Sequence, residues 1–166
     1  IGFDGDADRI GVVDEKGHIL WGDQLLTIFA RDILSRNPGA TIVGEVKCSQ
    51  NLYQDIENHV GVPVMVAAGH SLIKNKMRET GALLAGEMSG HICFADNYYG
   101  FDDAVFAACR VLQIVAESKQ KVSEMLADLP ETASTPEIRI DCPDDKKFGI
   151  VRELTEIFRE KYDVID

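Results

Sequence analysis

Three carboxylates alternate along one short stretch near the start of the sequence, the acidic loop DGDADR. Asp4, Asp6 and Asp8 carry them, and Arg9 follows directly. At separations of roughly 5 Å and an effective dielectric constant of about 20, each pair of ionised carboxylates repels by about 3 kcal/mol. Solvation of an exposed loop is one way to reduce this repulsion. A hard divalent cation held by the carboxylate oxygens is another, and it leaves coordination positions open for phosphate.

Polar side chains follow three apolar runs that predict strands, namely TIVGEV, VPVMVAA and ALLAG. In open α/β sheets the carboxyl ends of parallel strands meet at one edge, where ligands bind. We therefore expect one site there, although a solvated lysine, a surface histidine and an ordinary turn would explain each part separately. The residues concerned are Lys47, then Gly69, His70 and Ser71, and finally Glu87, Ser89, Gly90 and His91.

The alternation of Glu87, Ser89 and His91 suggests a sugar ligand. An extended segment would direct these three side chains to the same face. A carboxylate, a hydroxyl and an imidazole provide the donors and acceptors that vicinal hydroxyl groups require. The sequence around Ser89, GEMSG, is not the G-x-S-x-G nucleophile elbow, because the serine is displaced by one position.

The elements that must position these residues alternate between strand and helix. The runs RIGVV and HIL around DEKG predict a hairpin. Beyond it, connections too long for hairpins indicate a three-layer α/β/α domain with a mixed, mainly parallel sheet. Helices are predicted in QLLTIFARDILSR with Asp23 as its cap, in SQNLYQDIENHV beginning at Ser49, in HSLIKNKMRETG, in DDAVFAACRVLQIVAES and in VSEMLADL.

The composition limits the partners. Seventeen basic and 28 acidic residues give a net charge of −11, which disfavours nucleic acid as a general partner. No apolar run is long enough to predict a membrane span. The four cysteines show no C-x-x-C spacing, which favours reduced thiols in a cytoplasmic protein over a structural zinc site. The start at Ile1, inside a strand-like run, suggests an excised fragment.

Two other chemistries fit the sequence poorly. The acidic loop partly resembles an EF-hand, with Glu15 at the twelfth place, but Arg9 occupies the place that requires glycine. The G-x-x-x-x-G-K-[ST] nucleotide loop does not occur in the sequence, which disfavours a kinase or ATPase of that type.

Three strings in this order resemble the α-D-phosphohexomutase superfamily, nearest to its bacterial phosphomannomutase/phosphoglucomutase branch. They are FDGDADR at residues 3–9, GHSLIK at 69–74 and GEMSGH at 86–91. The resemblance implies the end of a second domain at 1–16, a third, sugar-recognition domain at 17–130, and a hinge with the truncated start of a fourth domain at 131–166. That last part would contain the strand STPEIRI and the amphipathic helix DDKKFGIVRELTEIFREKY.

The resemblance also implies roles for individual residues. Asp4, Asp6 and Asp8 would bind Mg²⁺, and Glu87, Ser89 and His91 would recognise sugar hydroxyls together with Gly69, Ser71 and Gly90. Arg9, Lys47 and His70 would be catalytic groups around the transferred phosphate. Ala67 and Ala68 depart from the pattern, because a basic or hydroxyl residue is expected there.

The implied reaction is phosphate transfer between O1 and O6 of a hexose, through a phosphoserine and a bisphosphorylated sugar. The phosphoserine and a phosphate-binding loop belong to domains 1 and 4, so this segment is expected to be inactive alone. The preferred hexose stays open among mannose, glucose and glucosamine types, and Met88 favours mannose or glucose. The alternatives are a non-catalytic sugar-phosphate-binding module and, more weakly, a structural or Ca²⁺-binding domain.

Overall fold

A computed structural model describes residues 1–133, 138, 140–162 and 164. Its contacts divide the chain into two compact units, Ile1–Thr132 and Ala133–Asp166, which are described separately. The predicted strand STPEIRI lies mostly outside the described residues. The assignment of residues 1–16, 17–130 and 131–166 to three different domains stays a prediction.

The first unit contains all the strand-forming runs that carry candidate site residues. Most predicted elements occur within a few residues of their expected positions. Its strands are β1 (Gly2–Phe3), β2 (Ile10–Val13), β3 (Ile19–Leu20), β4 (Thr41–Glu45), β5 (Val62–Val66), β6 (Leu84–Gly86) and β7 (Ile92–Phe94), and its α-helices are α1 (Gly22–Arg36), α2 (Gln50–Asn58), α3 (His70–Thr80) and α4 (Ala104–Ser118).

The main sheet has the strand order β5-β4-β6-β7. β4 pairs in parallel with both β5 and β6, whereas β7 is antiparallel to β6. The mixed, mainly parallel sheet predicted from the sequence is therefore confirmed. Because β4, β5 and β6 run in one direction, their carboxyl ends share one edge of the sheet.

Helices cover both faces of this sheet. Ile42 and Leu84 belong to the larger core, which also contains the buried Leu25, Phe29 and Ile33 of α1. Residues one position along these strands point the other way. Val43 and Ala85 pack in a second core against Ile73 and Met77 of α3. This alternation produces the three-layer α/β/α arrangement that the sequence predicts.

A smaller antiparallel sheet, β1-β2-β3, precedes the main one. Its β2–β3 hairpin is the one predicted around DEKG, and Asp14 closes the turn by accepting hydrogen bonds from the backbone N–H groups of Lys16 and His18, each at 2.8 Å. The inward residues Ile10 and Val12 of β2 are buried in the larger core. This sheet therefore holds the acidic loop, which connects β1 to β2.

Two predictions about helices are wrong. Asp23 does not cap α1, which begins at Gly22, because the Asp23 carboxylate accepts the backbone N–H of Ser49 at 2.8 Å and so connects α1 to the start of α2. VSEMLADL forms a 3₁₀ turn at Val122–Glu124 rather than an α-helix. Arg31 Nη1 donates to the carbonyl of Met125 at 2.9 Å, which takes an acceptor that a continuing helix would use.

The second unit contains α5 (Lys147–Arg159), as predicted. Its apolar side chains Phe148, Val151 and Leu154 are exposed. None of the helices in the described ranges combines the length and the apolar character that crossing a membrane requires.

Candidate active site at the carboxyl edge of the sheet

The acidic loop brings its three carboxylates together. One oxygen from each of Asp4, Asp6 and Asp8 lies within 4.8 Å of the others. The loop is held in place at Ala7, which adopts a left-handed φ of 59° and whose carbonyl accepts the backbone N–H of Ala104 at the start of α4, at 3.1 Å. A backbone hydrogen bond between the loop and the start of α4 therefore holds the loop that carries the three carboxylates.

Arg9 offsets part of the charge in this cluster. Its Nε donates to Asp4 Oδ2 at 2.5 Å, and its backbone N–H donates to Asp4 Oδ1 at 3.2 Å. The Arg9 guanidinium lowers the pKa of Asp4 to about 2, so this carboxylate is ionised at neutral pH. Three clustered carboxylates form an oxygen donor set of the kind that Mg²⁺ prefers. The donor set therefore fits the predicted cation.

Glu87 to Gly90 form a tight turn between β6 and β7. The expectation that this segment is extended is wrong, because the Gly90 N–H donates to the Glu87 carbonyl at 3.1 Å and the chain reverses. Ser89 nevertheless lies beside Glu87, since its Oγ donates to Glu87 Oε2 at 3.1 Å. His91 Nε2 lies 4.0 Å from the same oxygen. The carboxylate, hydroxyl and imidazole thus come together because the chain turns back on itself, and not because they alternate along an extended strand.

The acidic loop and this turn are directly connected. Arg9 and His91 form an isolated antiparallel bridge, and the backbone N–H of Ile10 donates to the carbonyl of Gly90 at 3.1 Å. On the side-chain level, His91 Nδ1 lies 3.7 Å from Asp8 Oδ2. The two motifs, about 80 residues apart in the sequence, therefore form a single site.

The start of α3 forms the third side of the site. Gly69, with a φ of 140°, donates its backbone N–H to Glu87 Oε1 at 2.9 Å. The ring of His70 stacks on that of His91, with 5.5 Å between the centroids. Ser71 is exposed in the first turn of the helix. Glu87 is therefore held by α3 on one side and by Ser89 on the other.

Lys47 is connected to the site by Glu45, a residue that the sequence did not predict. Its Nζ lies 3.6 Å from Oε1 of Glu45, a carboxylate that is fully buried at the end of β4. The same oxygen accepts the backbone N–H of Met88 at 3.3 Å. Glu45 therefore links the end of β4 to the 87–90 turn. A glutamate inside an otherwise apolar strand was the available signal.

Asp102 is a second residue of the site that the sequence did not predict. It contacts Lys74, His70 and His91. Burial raises its pKa, but hydrogen bonds from Lys74 and from the backbone outweigh burial and leave the pKa below its usual value. Asp103 caps α4 by accepting the Phe106 N–H at 2.8 Å, so its neighbour Asp102 is not needed as a cap. A second aspartate directly before a capped helix was therefore the signal in the sequence.

Comparisons with known proteins agree with this fold. Residues 21–133 match the model of phosphoglucomutase/phosphomannomutase, alpha/beta/alpha domain III. The chain is 51% identical over 154 residues to a phosphomannomutase/phosphoglucomutase of Pseudomonas putida, covering 93% of this chain and 33% of that protein. It is 47% identical over 155 residues to a phosphoglucomutase of Neisseria gonorrhoeae, covering 93% of this chain and 34% of that protein.

Solved structures show the same fold. A phosphoglucomutase/phosphomannomutase family protein from Burkholderia thailandensis superposes with a TM-score of 0.76 and 49% identity, over 81% of this chain and 29% of that one. The fold is thus that of an alpha/beta/alpha domain of phosphoglucomutase/phosphomannomutase proteins. The chain belongs to the phosphoglucomutase/phosphomannomutase family. It spans about a third of the length of the curated relatives it matches.

Proposed function

We propose that a longer protein carrying this chain interconverts hexose 1-phosphate and hexose 6-phosphate, with mannose or glucose as the sugar. The observation that carries the proposal is the Arg9–His91 bridge, which joins a carboxylate cluster suited to Mg²⁺ to a turn suited to sugar hydroxyls. Phosphoryl transfer depends mainly on alignment and charge stabilisation, and both halves of this site offer such groups.

The metal-binding half is proposed to be the acidic loop. Mg²⁺ held by Asp4, Asp6 and Asp8 would neutralise charge on the transferred phosphate. An N-acetylphosphoglucosamine mutase of Aspergillus fumigatus with the same fold, at 20% identity, has a crystal structure in complex with GlcNAc-6P and magnesium. The proposal for this chain depends on its own donor set, because a likeness at that identity concerns the fold.

The substrate-binding half is proposed to be the 87–90 turn with the start of α3. Each carboxylate oxygen of Glu87 already accepts one hydrogen bond, from the Gly69 N–H and from Ser89 Oγ. To bind two sugar hydroxyls, each oxygen would have to accept a second hydrogen bond. Arg9, Lys47 and His70 would provide positive or proton-donating groups near the phosphate. The proposed sugar contacts are those of Gly69, Ser71, Glu87, Ser89, Gly90 and His91.

The remaining parts of the proposal concern what lies outside this chain. The phosphoserine and the loop that binds the distal phosphate would be supplied by domains 1 and 4, and residues 1–16 and 131–166 would be the adjoining pieces of domains 2 and 4. The chain alone would then be inactive. The net charge of −11 supports a protein without nucleic-acid partners, and we propose a cytoplasmic location.

The test is an assay of 6-phosphate formation by the longer protein from mannose 1-phosphate and from glucose 1-phosphate with Mg²⁺. The double variant Asp6→Asn/Asp8→Asn should lose activity by at least about 100-fold, because two of three metal ligands lose their charge. A matched control is Glu57→Gln/Glu79→Gln, which removes two exposed carboxylates on α2 and α3.

Activity of the Asp6/Asp8 variant near that of the control would contradict the metal assignment. Tight binding of hexose phosphate without turnover by the wild-type protein would instead favour the alternative, a non-catalytic sugar-phosphate-binding module. Glucosamine 1-phosphate, included as a third substrate, tests the preference for mannose and glucose.

A further inference from the structure

Asp102 is shared by three basic side chains. Its Oδ1 accepts a hydrogen bond from Lys74 Nζ at 3.0 Å. Its Oδ2 lies 3.1 Å from His91 Nδ1 and 3.5 Å from His70 Nδ1. The side chain is only 9% exposed. A carboxylate so shielded from water and surrounded by donors has little freedom to move.

The backbone around Asp102 is fixed as well. Asp102 forms an isolated antiparallel bridge with Cys93 of β7, and the next residue, Asp103, caps α4. Two of its partners, His70 and Lys74, lie one helical turn apart on α3. Asp102 therefore ties together β7, α3 and the first turn of α4 at the point where His91 leaves the 87–90 turn.

We propose that Asp102 is a positioning residue for His91 in the mutase site. By accepting the Nδ1–H of His91, it fixes the ring so that the Nε2 atom faces Glu87 and the proposed sugar hydroxyls. The hydrogen-bond partner of one ring nitrogen sets which nitrogen carries the proton in the neutral ring. This inference depends on the proposed function for its catalytic consequence, but not for the orientation of the ring.

Asp102 is a better partner for this role than Asp8. Asp8 Oδ2 lies 3.7 Å from His91 Nδ1, beyond hydrogen-bond distance, and Asp8 belongs to the proposed metal cluster. His70 supports the arrangement from the other side, since its ring stacks on His91 at an interplanar angle of 29°. The orientation of His91 therefore depends on one carboxylate and one neighbouring ring.

The test compares the longer wild-type protein with its Asp102→Asn and Asp102→Ala variants. Asp102→Asn keeps the shape and one acceptor oxygen, so it remains informative if Asp102→Ala folds poorly. Asp103→Asn is the matched control, because asparagine also caps helices well and Asp103 lies outside the cluster. We expect kcat for hexose phosphate to fall by about 10- to 100-fold in Asp102→Ala and less in Asp102→Asn. The KM should change by less than about threefold, and the control should retain kcat within about twofold of wild type.

The second readout is the ¹⁵N spectrum of the histidine side chains, assigned to His91 with a His91→Gln variant. We expect a Nδ1–H ring in the wild type and in the control, and a loss of this preference in Asp102→Ala. Unchanged His91 signals, or a kcat within about twofold of wild type in both Asp102 variants, would overturn the proposal. If the wild type does not turn over hexose phosphates, the proposed function fails, while the spectra still decide whether Asp102 orients His91.

Discussion

Arg9 and His91 lie opposite each other as an antiparallel bridge pair, although 81 positions separate them in the sequence. Their pairing places the acidic loop against the turn that carries Glu87 and Ser89. The hydrogen bond from Ile10 N–H to the Gly90 carbonyl, at 3.1 Å, extends the contact by one residue. The relative position of the two halves of the site is therefore set by backbone atoms, independently of any bound ligand.

Gly22 packs directly against the backbone of the 87–90 turn. A Cβ atom at Gly22 would lie 2.1 Å from the Glu87 carbonyl oxygen and 2.8 Å from Gly90 N. Gly22→Ala should therefore displace the 87–90 turn, lower the free energy of unfolding by about 1 to 3 kcal/mol and raise the KM for sugar phosphate. Urea unfolding and steady-state kinetics measure the two effects. Gly11→Ala is the control, since a Cβ atom there has nothing within 4 Å. Equal behaviour of the two variants would contradict the packing argument.

Val60 is a second position where backbone geometry decides stability. This β-branched residue is 67% exposed and adopts a left-handed φ of 61°, a conformation that asparagine tolerates far better. Val60→Asn should raise the free energy of unfolding by up to about 1 kcal/mol. Val60→Thr separates polarity from shape, because threonine is polar but still β-branched. A thermal melt in which Val60→Thr gains as much as Val60→Asn would refute the strain explanation.

Arg31 connects α1 to α2 and to the segment that follows α4. It donates two hydrogen bonds to Asp55 and two to Asp128, the latter at 2.8 and 3.0 Å. The hydrogen bonds from Arg31 lower the pKa of Asp128. A carboxyl group with a lowered folded-state pKa stabilises the fold above its unfolded pKa, about 3.9, and this contribution disappears as the pH falls through the folded value.

Asp128→Asn should therefore cost stability at neutral pH and progressively less below about pH 4. The loss should stay below about 1 kcal/mol, because the Asp128 side chain is 65% exposed and water weakens the ion pair. Urea unfolding of the wild type and the variant at about pH 7, 5 and 3 measures the difference. A stability gap that widens on acidification would contradict the assignment, and Glu57→Gln serves as the control.

The sequence predicts the elements well because their signals are local. The apolar spacing of Leu25, Phe29 and Ile33 defines the buried face of α1. The predicted start of the second helix, Ser49, is the N-cap of α2. The predictions fail where a distant residue overrides a local preference. Asp23 has the right chemistry for a cap, but Ser49 occupies its carboxylate. The short helix after α4 is replaced by 3₁₀ geometry, with Arg31 bound to the Met125 carbonyl.

The same distinction between local sequence signals and contacts to distant residues applies to the site. Strand direction alone places Lys47, His70 and Glu87 at one edge of the sheet. The links between these residues are tertiary contacts without a sequence period. Glu45 joins Lys47 to the turn, and Asp102 joins His70 to His91. Neither carboxylate belongs to the three strings that carry the family resemblance. Their unusual positions, at the end of an apolar strand and beside a helix cap, could flag them but could not identify their partners.

The central claim is that one site combines the cation cluster and the sugar-binding turn. A crystal structure of the longer protein with Mn²⁺, as an anomalous scatterer in place of Mg²⁺, and a hexose phosphate tests it most directly. We predict an anomalous peak among the carboxylates of Asp4, Asp6 and Asp8, with sugar hydroxyls within hydrogen-bond distance of Glu87 and Ser89. Among the described residues, Asp8, His91 and Asp102 form a second group that could hold a metal. A peak there, or a sugar bound away from the 87–90 turn, would contradict the account.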